Sequence, residues 1–410
     1  MSVLTDRLRI SEKSLSWFLA ARGVSVFGDG MTAAALAFAV LARGTATDLA
    51  AIIVARTLAM FLFALIGGSI GDRYSRMRVM VAADIVSALC VAASAILLMQ
   101  DELNLTALCA LYFVYGIALS FFRPSLGGII PLLLVEQSNL KAANAAHNFV
   151  YYLCITIGPA VGGVLATVFA PVDVLLVDSC TFLASALLLA GVRLRDIERE
   201  RGSGSVWSGV VHGIKFVVAT RWLLAMICVG AGAQFVSQGI IVTVGPAVMN
   251  EVDGGKIVWA ASISAAGVGA LIGAPVAARL NFVNAYRTTC LTSLFVIPPI
   301  VLLGAPVAPV AIITAFGISG LATCVADTFR ETLIQRVIPA EYLSRASSVE
   351  WVIESSFRML GIACAPVLWN VLGTTALFVC GGVFLVVLFI GAALVEYSGI
   401  LEVPRLPVEA

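Results

Sequence analysis

The residues with chemical potential in this chain of 410 residues are a few charged side chains set inside long apolar runs. Asp29 falls near the middle of the first run, Asp178 in the outer part of the sixth, and Glu354 within the eleventh. A lone charge at the centre of a bilayer costs about 3 kcal/mol or more, so such residues are rarely idle. A buried acid can hold a proton and release it when a cation or water arrives, which is what proton coupling requires. Asp29, Asp178 and Glu354 are therefore proton-coupling candidates. The competing role is a structural ion pair. Asp29 has Arg22 seven residues away, and Glu354 has Arg358 at the helical spacing of four, which neutralises both. Asp178 has no local cation, and a pairing with Arg56 would have to cross between helices.

The elements that must hold these side chains are membrane helices. The composition is 60% hydrophobic and only 12% charged, against about 25% charged in ordinary soluble domains. Twelve apolar runs are expected, at 16–42, 49–70, 79–99, 104–122, 144–169, 172–192, 222–248, 257–279, 287–305, 308–329, 348–369 and 373–395. Each approaches the ~20 residues that cross a bilayer. With both termini cytoplasmic, the expected outer loops contain only Arg43 and Lys256 of the 25 Lys and Arg. Arg56 and Arg358 lie inside runs, and the others fall on the inner side, as the positive-inside rule requires. The interval after the sixth run holds a charged stretch, a Gly-Ser joint at 202–205, and an amphipathic segment with Val206, Val210, Ile214 and Val218 on one face. The chain thus divides into a first bundle (1–192), a cytoplasmic linker (193–221) and a second bundle (222–410). The polar amino terminus carries no cleavable signal pattern, so the first helix is expected to stay in the mature protein.

Between the second and third runs lies a charged knot, Gly67-Gly68-Ser69-Ile70-Gly71-Asp72-Arg73-Tyr74-Ser75-Arg76-Met77-Arg78. It resembles the loop motif G-x-x-x-D-R-x-G-R-R/K of the major facilitator superfamily. Gly68, Asp72, Arg73 and Arg76 match; Ser75 stands where glycine is usual and Met77 where a basic residue is usual. Thr156-Ile157-Gly158-Pro159-Ala160-Val161-Gly162-Gly163 resembles the G-P-x-x-G-G element that drug exporters of that superfamily carry in the fifth helix. The plain alternative is a lipid-adapted kink, with Pro159 removing a backbone bond and glycines flattening one face. Further similarity to macrolide and siderophore exporters lies at Ala21-Arg22, Ser25, Phe27-Gly28-Asp29, Ala55-Arg56-Thr57, Phe122-Arg123-Pro124 and Gln335-Arg336-Val337-Ile338-Pro339.

The resemblance implies an all-α membrane protein, twelve transmembrane helices in two six-helix bundles that rock about a substrate path. It implies efflux of hydrophobic or amphiphilic small molecules in exchange for protons, and a multi-pass location in a bacterial cytoplasmic membrane. It also implies that Gly68, Asp72, Arg73 and Arg76 latch the inner side, with Asp72 at the inner end of the eleventh span and the arginines on neighbouring acids. Tyr112, Tyr115, Tyr151, Tyr152, Gln234, Gln238 and Trp351 are pocket candidates, because aromatic and amide side chains suit a large, partly apolar ligand; ordinary packing is the alternative. No phosphate-binding loop, metal-ligand set or catalytic constellation is found, so no cofactor, no metal and no enzymatic activity are expected. The nine cysteines are scattered singly. No nucleic acid partner is expected, and a monomer is. Two other functions remain: a dedicated exporter of one metabolite such as a siderophore or self-made antibiotic, and a non-transporting membrane sensor.

Overall fold

The computed structural model describes residues 2–44, 46–100, 103–134, 139–192, 206–250, 255–280, 284–305 and 307–398. Their regular structure is helical, with no strand among the described residues. In chain order the helices are α1 (Ser2–Leu41), α2 (Ala46–Arg73), α3 (Arg76–Leu98), α4 (Leu105–Gly127), the single turn α5 (Ile130–Leu133), α6 (Leu140–Val168) and α7 (Pro171–Ala190). There follow α8 (Val206–Ala219), α9 (Arg221–Ala233), α10 (Val242–Asn250), α11 (Gly255–Arg279), α12 (Ala285–Ser293), α13 (Ile297–Leu303), α14 (Pro309–Val337), α15 (Leu343–Leu372) and α16 (Thr374–Tyr397). A π-helical segment, Gln234–Ile241, joins α9 to α10, and a 3₁₀ turn, Leu294–Val296, joins α12 to α13.

Helix is what a long apolar run must form in lipid, because every backbone N–H and C=O then has a partner within its own segment. Among the described residues, ten helical stretches are long and apolar enough to cross a membrane: α2, α3, α4, α7, α9 through α10, α11, α12 through α13, α14, α15 and α16. The helices α1 and α6 cover the other two expected runs, 16–42 and 144–169. Large apolar side chains such as Leu89, Leu187, Val310, Val371 and Val387 are exposed. In water they would be a liability; against acyl chains they are the natural surface.

The chain forms two compact units. One comprises Met1–Ala143, Val150–Ile214 and Ile338–Val349; the other comprises Asn144–Phe149, Lys215–Val337 and Glu350–Ala410. In the first, α1 packs on α7, α7 on α3, α3 on α4 and α4 on α2. Ala35, Ile52, Val91, Leu108, Tyr115, Leu175 and Phe182 fill its core. In the second, α14 packs on α11, α12 and α13, while α16 packs on α9, α12 and α13. Its core holds Val236, Ile300, Leu303, Leu377, Phe378 and Leu385.

The charged knot is tighter than a loop of its length suggests. Helix α2 continues to Arg73 and α3 begins at Arg76, leaving Tyr74 and Ser75 to make the turn. Ser75 has φ −62° and ψ 116°. Any residue adopts this extended backbone, so serine serves where the motif has glycine. The one positive φ among the described residues is Gly373 (75°), which reverses the chain between α15 and α16. Of the expected linker (193–221), residues 193–205 lie outside the described residues, and its amphipathic segment is the helix α8.

Candidate functional site: buried acids and their partners

In the first unit the acids are held by hydroxyls. Asp178 on α7 is fully enclosed. Thr32 Oγ1, on α1, donates to its Oδ2 at 2.5 Å, and Thr181 Oγ1 donates to its Oδ1 at 2.9 Å. Thr181 also donates to the Asp178 carbonyl at 2.8 Å. The close approach of α1 to α7 depends on Gly28, where an added Cβ would overlap both Thr181 Oγ1 and Asp178 Oδ1. Asp29 is half-buried, and Tyr115 on α4 donates its phenolic O–H to Oδ1 at 2.5 Å. Farther along, Ser185 Oγ donates to the buried Asp84 at 2.6 Å.

Two ion pairs that stood as alternatives are absent among the described residues. Arg56 sits over the Tyr115 ring, 5.8 Å from its centroid, and makes no ion pair with Asp178. Arg22 sits over the Phe122 ring at 5.0 Å and makes no ion pair with Asp29. The physical reason is the same in both cases. An aromatic ring from α4 takes the guanidinium face, while hydroxyls satisfy the carboxyl.

The exporter-like element has a packing role. A Cβ on Gly30 of α1 would meet Gly158 Cα at 3.1 Å and Pro159 Cδ at 3.2 Å, and a Cβ on Gly162 would overlap the Met31 backbone. Gly158, Pro159 and Gly162 thus let α6 lie directly on the stretch of α1 that bears Asp29 and Thr32. Gly163 lies outside the residues whose surroundings are described.

In the second unit the sequence-based pairing of Glu354 with Arg358 is replaced. Glu354 pairs instead with Arg330 on α14, whose Nη1 lies 3.3 Å from Oε1. Arg358 donates to Ser355 Oγ at 3.1 Å. Arg330 also forms an ion pair with Glu350, and with Asp327 at 3.6 Å. The fourth nearby acid, Glu331, accepts from Asn148 Nδ2 at 3.3 Å. A partner from another helix displaces the intrahelical one because Arg330 reaches both Glu350 and Glu354, which share one face of α15. Sequence reasoning missed Arg330 and Glu331. It ended the tenth run at 329 and assigned Arg330 to the interface, whereas α14 continues to Val337. The available signal was the pattern Asp327, Arg330, Glu331, three charges within a turn and a half at the end of an apolar helix.

The knot's Arg76 is buried, and its guanidinium binds backbone carbonyls: Nη1 donates to Gly128 O at 2.5 Å, and Nη2 donates to Ala340 O. A Cβ at Gly128 would occupy the guanidinium's place. Gly68 packs against the first turns of α15, where a Cβ would overlap Ser344 O and Ser348 Oγ. The side chains of Asp72 and Arg73 lie outside the described residues.

Among the pocket candidates, Tyr112 and Tyr115 are enclosed in the core of the first unit, with their rings edge to face at 5.9 Å. Tyr151 is exposed and packs edge to face on Tyr152 at 5.5 Å. Gln234 and Gln238 both lie in the π-helical segment. Such segments break the helical ladder and often mark functional positions. Gln234 hydrogen-bonds Glu354, Gln238 is exposed, and Trp351 is half-buried. The nine cysteines are free, and no metal-ligand cluster occurs among the described residues.

Comparison with known proteins agrees with this architecture. The chain is similar to the multidrug efflux pump Tap of Mycolicibacterium fortuitum, 27% identical over 278 residues, covering 65% of this chain and 67% of Tap. It is similar to macrolide efflux protein A of Streptococcus pyogenes, 24% identical over 191 residues, covering 45% of this chain and 47% of that protein. The chain thus spans about half to two thirds of the relatives it matches. Among solved structures, the human organic anion transporter MFSD10 (TETRAN) superposes with a TM-score of 0.73 at 12% identity, covering 93% of this chain and 99% of that one. A bacterial homologue of the iron transporter ferroportin superposes with a TM-score of 0.71 at 14% identity, covering 94% and 99%. At such identities these two likenesses speak for the fold alone. The family model of the Major Facilitator Superfamily matches residues 18–361, and the chain belongs to that superfamily: it is a multi-pass membrane transporter, not an enzyme.

Proposed function

We propose that this transporter exports hydrophobic or amphiphilic small molecules in exchange for protons, by alternating access of two six-helix bundles. The observation that carries the reading is the pair Asp29 and Asp178, acids held by hydroxyls within membrane helices of a chain whose relatives are drug efflux pumps. A carboxyl group so placed gains most from being neutral, and changes partner when it becomes charged. Half-buried Asp29 is the acid that water or a substrate cation reaches. A substrate cation arriving there competes with the Tyr115 hydroxyl for the carboxyl group, with Arg22 and Arg56 nearby. Glu354, tied to Arg330, is the matching candidate in the second unit.

The proposed topology has twelve spans with both termini cytoplasmic, bundles at 1–192 and 222–410, and the linker 193–221 on the inner surface. Tyr151 in the first unit, and separately Gln238 and Trp351 in the second, are proposed substrate contacts. Gly68, Asp72, Arg73 and Arg76 form the proposed latch, and the working form is a monomer. The test is drug susceptibility of an efflux-deficient bacterium expressing the chain, against macrolides, tetracyclines, cationic dyes and catechol siderophores. Raised tolerance to several unrelated compounds is the expected result. Export of one siderophore alone would favour the dedicated exporter, and no altered accumulation of any compound at normal membrane abundance would contradict the reading.

A further inference from the structure

Asp178 differs from every other acid described here in how completely it is enclosed and by what. Its exposure is 0%, and each carboxyl oxygen meets a threonine hydroxyl, one from α1 and one from its own helix. No ion pair to it exists among the described residues. The charged and titratable groups on the packed elements include Asp29 and Arg22 on α1, Tyr112 and Tyr115 on α4, and Cys90 and Asp84 on α3; Arg22 and, on α2, Arg56 are engaged by the Phe122 and Tyr115 rings. None of the groups that act on Asp178 is a cation. Glu354 and Glu350 have Arg330, and half-buried Asp29 has Arg56 and Arg22 close enough to act on it. Asp178 has hydroxyls only.

We propose that the Thr32–Asp178–Thr181 cage, made possible by Gly28, is the proton-carrying site of this transporter, while Asp29 is the acid that senses substrate. The proposal rests on the proton-coupled reading above and deepens it by separating the two roles. In the enclosed arrangement Asp178 holds its proton as a carboxylic acid. One hydroxyl then accepts from the carboxyl O–H while the other still donates to its C=O oxygen, so both oxygens stay satisfied. When α1 and α7 part at Gly28, the O–H bond breaks and the proton passes to water. Taking a proton from water on the other side restores the cage. Gly28 is a positioning residue: it bears no reactive group but lets the two helices close over the carboxyl.

The test uses the purified full-length transporter in proteoliposomes, with a labelled macrolide as probe and a trapped pH-sensitive dye. In wild type, macrolide exchange should move protons; if it moves none, the coupled reading fails and this inference with it. Asp178→Asn keeps the size of the side chain and an acceptor for one threonine. It should retain macrolide counterflow, which needs no net proton, and lose both proton movement and accumulation against a gradient. Full coupling in Asp178→Asn would overturn the inference and leave the coupled reading intact. Should that variant lose counterflow as well, Thr32→Val with Thr181→Val decides. Hydroxyl donors favour the carboxylate, so removing them delays proton release to higher pH. The pH profile of uphill transport should move alkaline by about one unit or more. An unshifted profile with lower protein yield would mean that the cage is structural only.

Discussion

Arg330→Met offers the sharpest test of the second unit's energetics. The guanidinium is the cation shared by Asp327 at 3.6 Å, Glu350, and Glu354 at 3.3 Å, with side-chain exposures of 31%, 16% and 15% against its own 24%. Methionine preserves most of the apolar stem and removes the charge. Breaking a buried pair by deleting one partner costs roughly 3–5 kcal/mol, because the other charge is left behind uncompensated. The partial exposure here places the loss toward the lower end, about 3 kcal/mol. With unfolding entropy scaling with chain length, that is a fall in Tm of roughly 3–4 °C. The assay is thermal unfolding of detergent-purified protein, followed by intrinsic tryptophan fluorescence. Arg330→Met/Glu350→Gln removes one of the stranded charges and should regain a substantial part of the loss. A single variant as stable as wild type, or a double variant no better than the single, would refute the hub role of Arg330.

Other perturbations test other joints. Gly162→Leu places a side chain against the Met31 backbone, so α6 must lift off α1. Export should be lost while membrane abundance stays within about half of wild type, and normal export would show that this approach is dispensable. Gly373→Ala forces an alanine to φ 75° and ψ 171°, a region essentially reserved for glycine that costs about 1–3 kcal/mol. Its Tm should drop by a few degrees at most with transport unchanged; an unaltered Tm would mean that the α15–α16 turn relaxes freely.

Much of this molecule is written in its hydropathy. A run such as 79–99 has no partner for its backbone except itself, so α3 follows directly and ends within a residue of the expected point. The turn at the knot was equally plain, because a run of charge between two apolar segments must leave the hydrocarbon. What stayed hidden depends on the rotation and depth of helices against each other. Nothing local indicates that the Tyr115 hydroxyl on α4 meets Asp29 on α1, or that Thr32 and Thr181 close on Asp178. Arg358 at the ideal spacing looked like the partner of Glu354, but an arginine on another helix bridges two acids at once, and local spacing cannot reveal that competitor. Gly28 read as part of a motif; its reason, the volume of a carboxyl group on α7, is visible only when α7 is in place.

The most direct test is substrate-evoked proton movement in energised inside-out vesicles, comparing wild type with Asp29→Asn at matched abundance. An acidified vesicle interior quenches the dye, and adding an exported macrolide should release protons and restore fluorescence in wild type. In Asp29→Asn the same addition should leave the quench unchanged. Macrolide transport in wild-type vesicles with no accompanying proton release would contradict proton-coupled export, and an undiminished signal in Asp29→Asn would remove Asp29 from the coupling path.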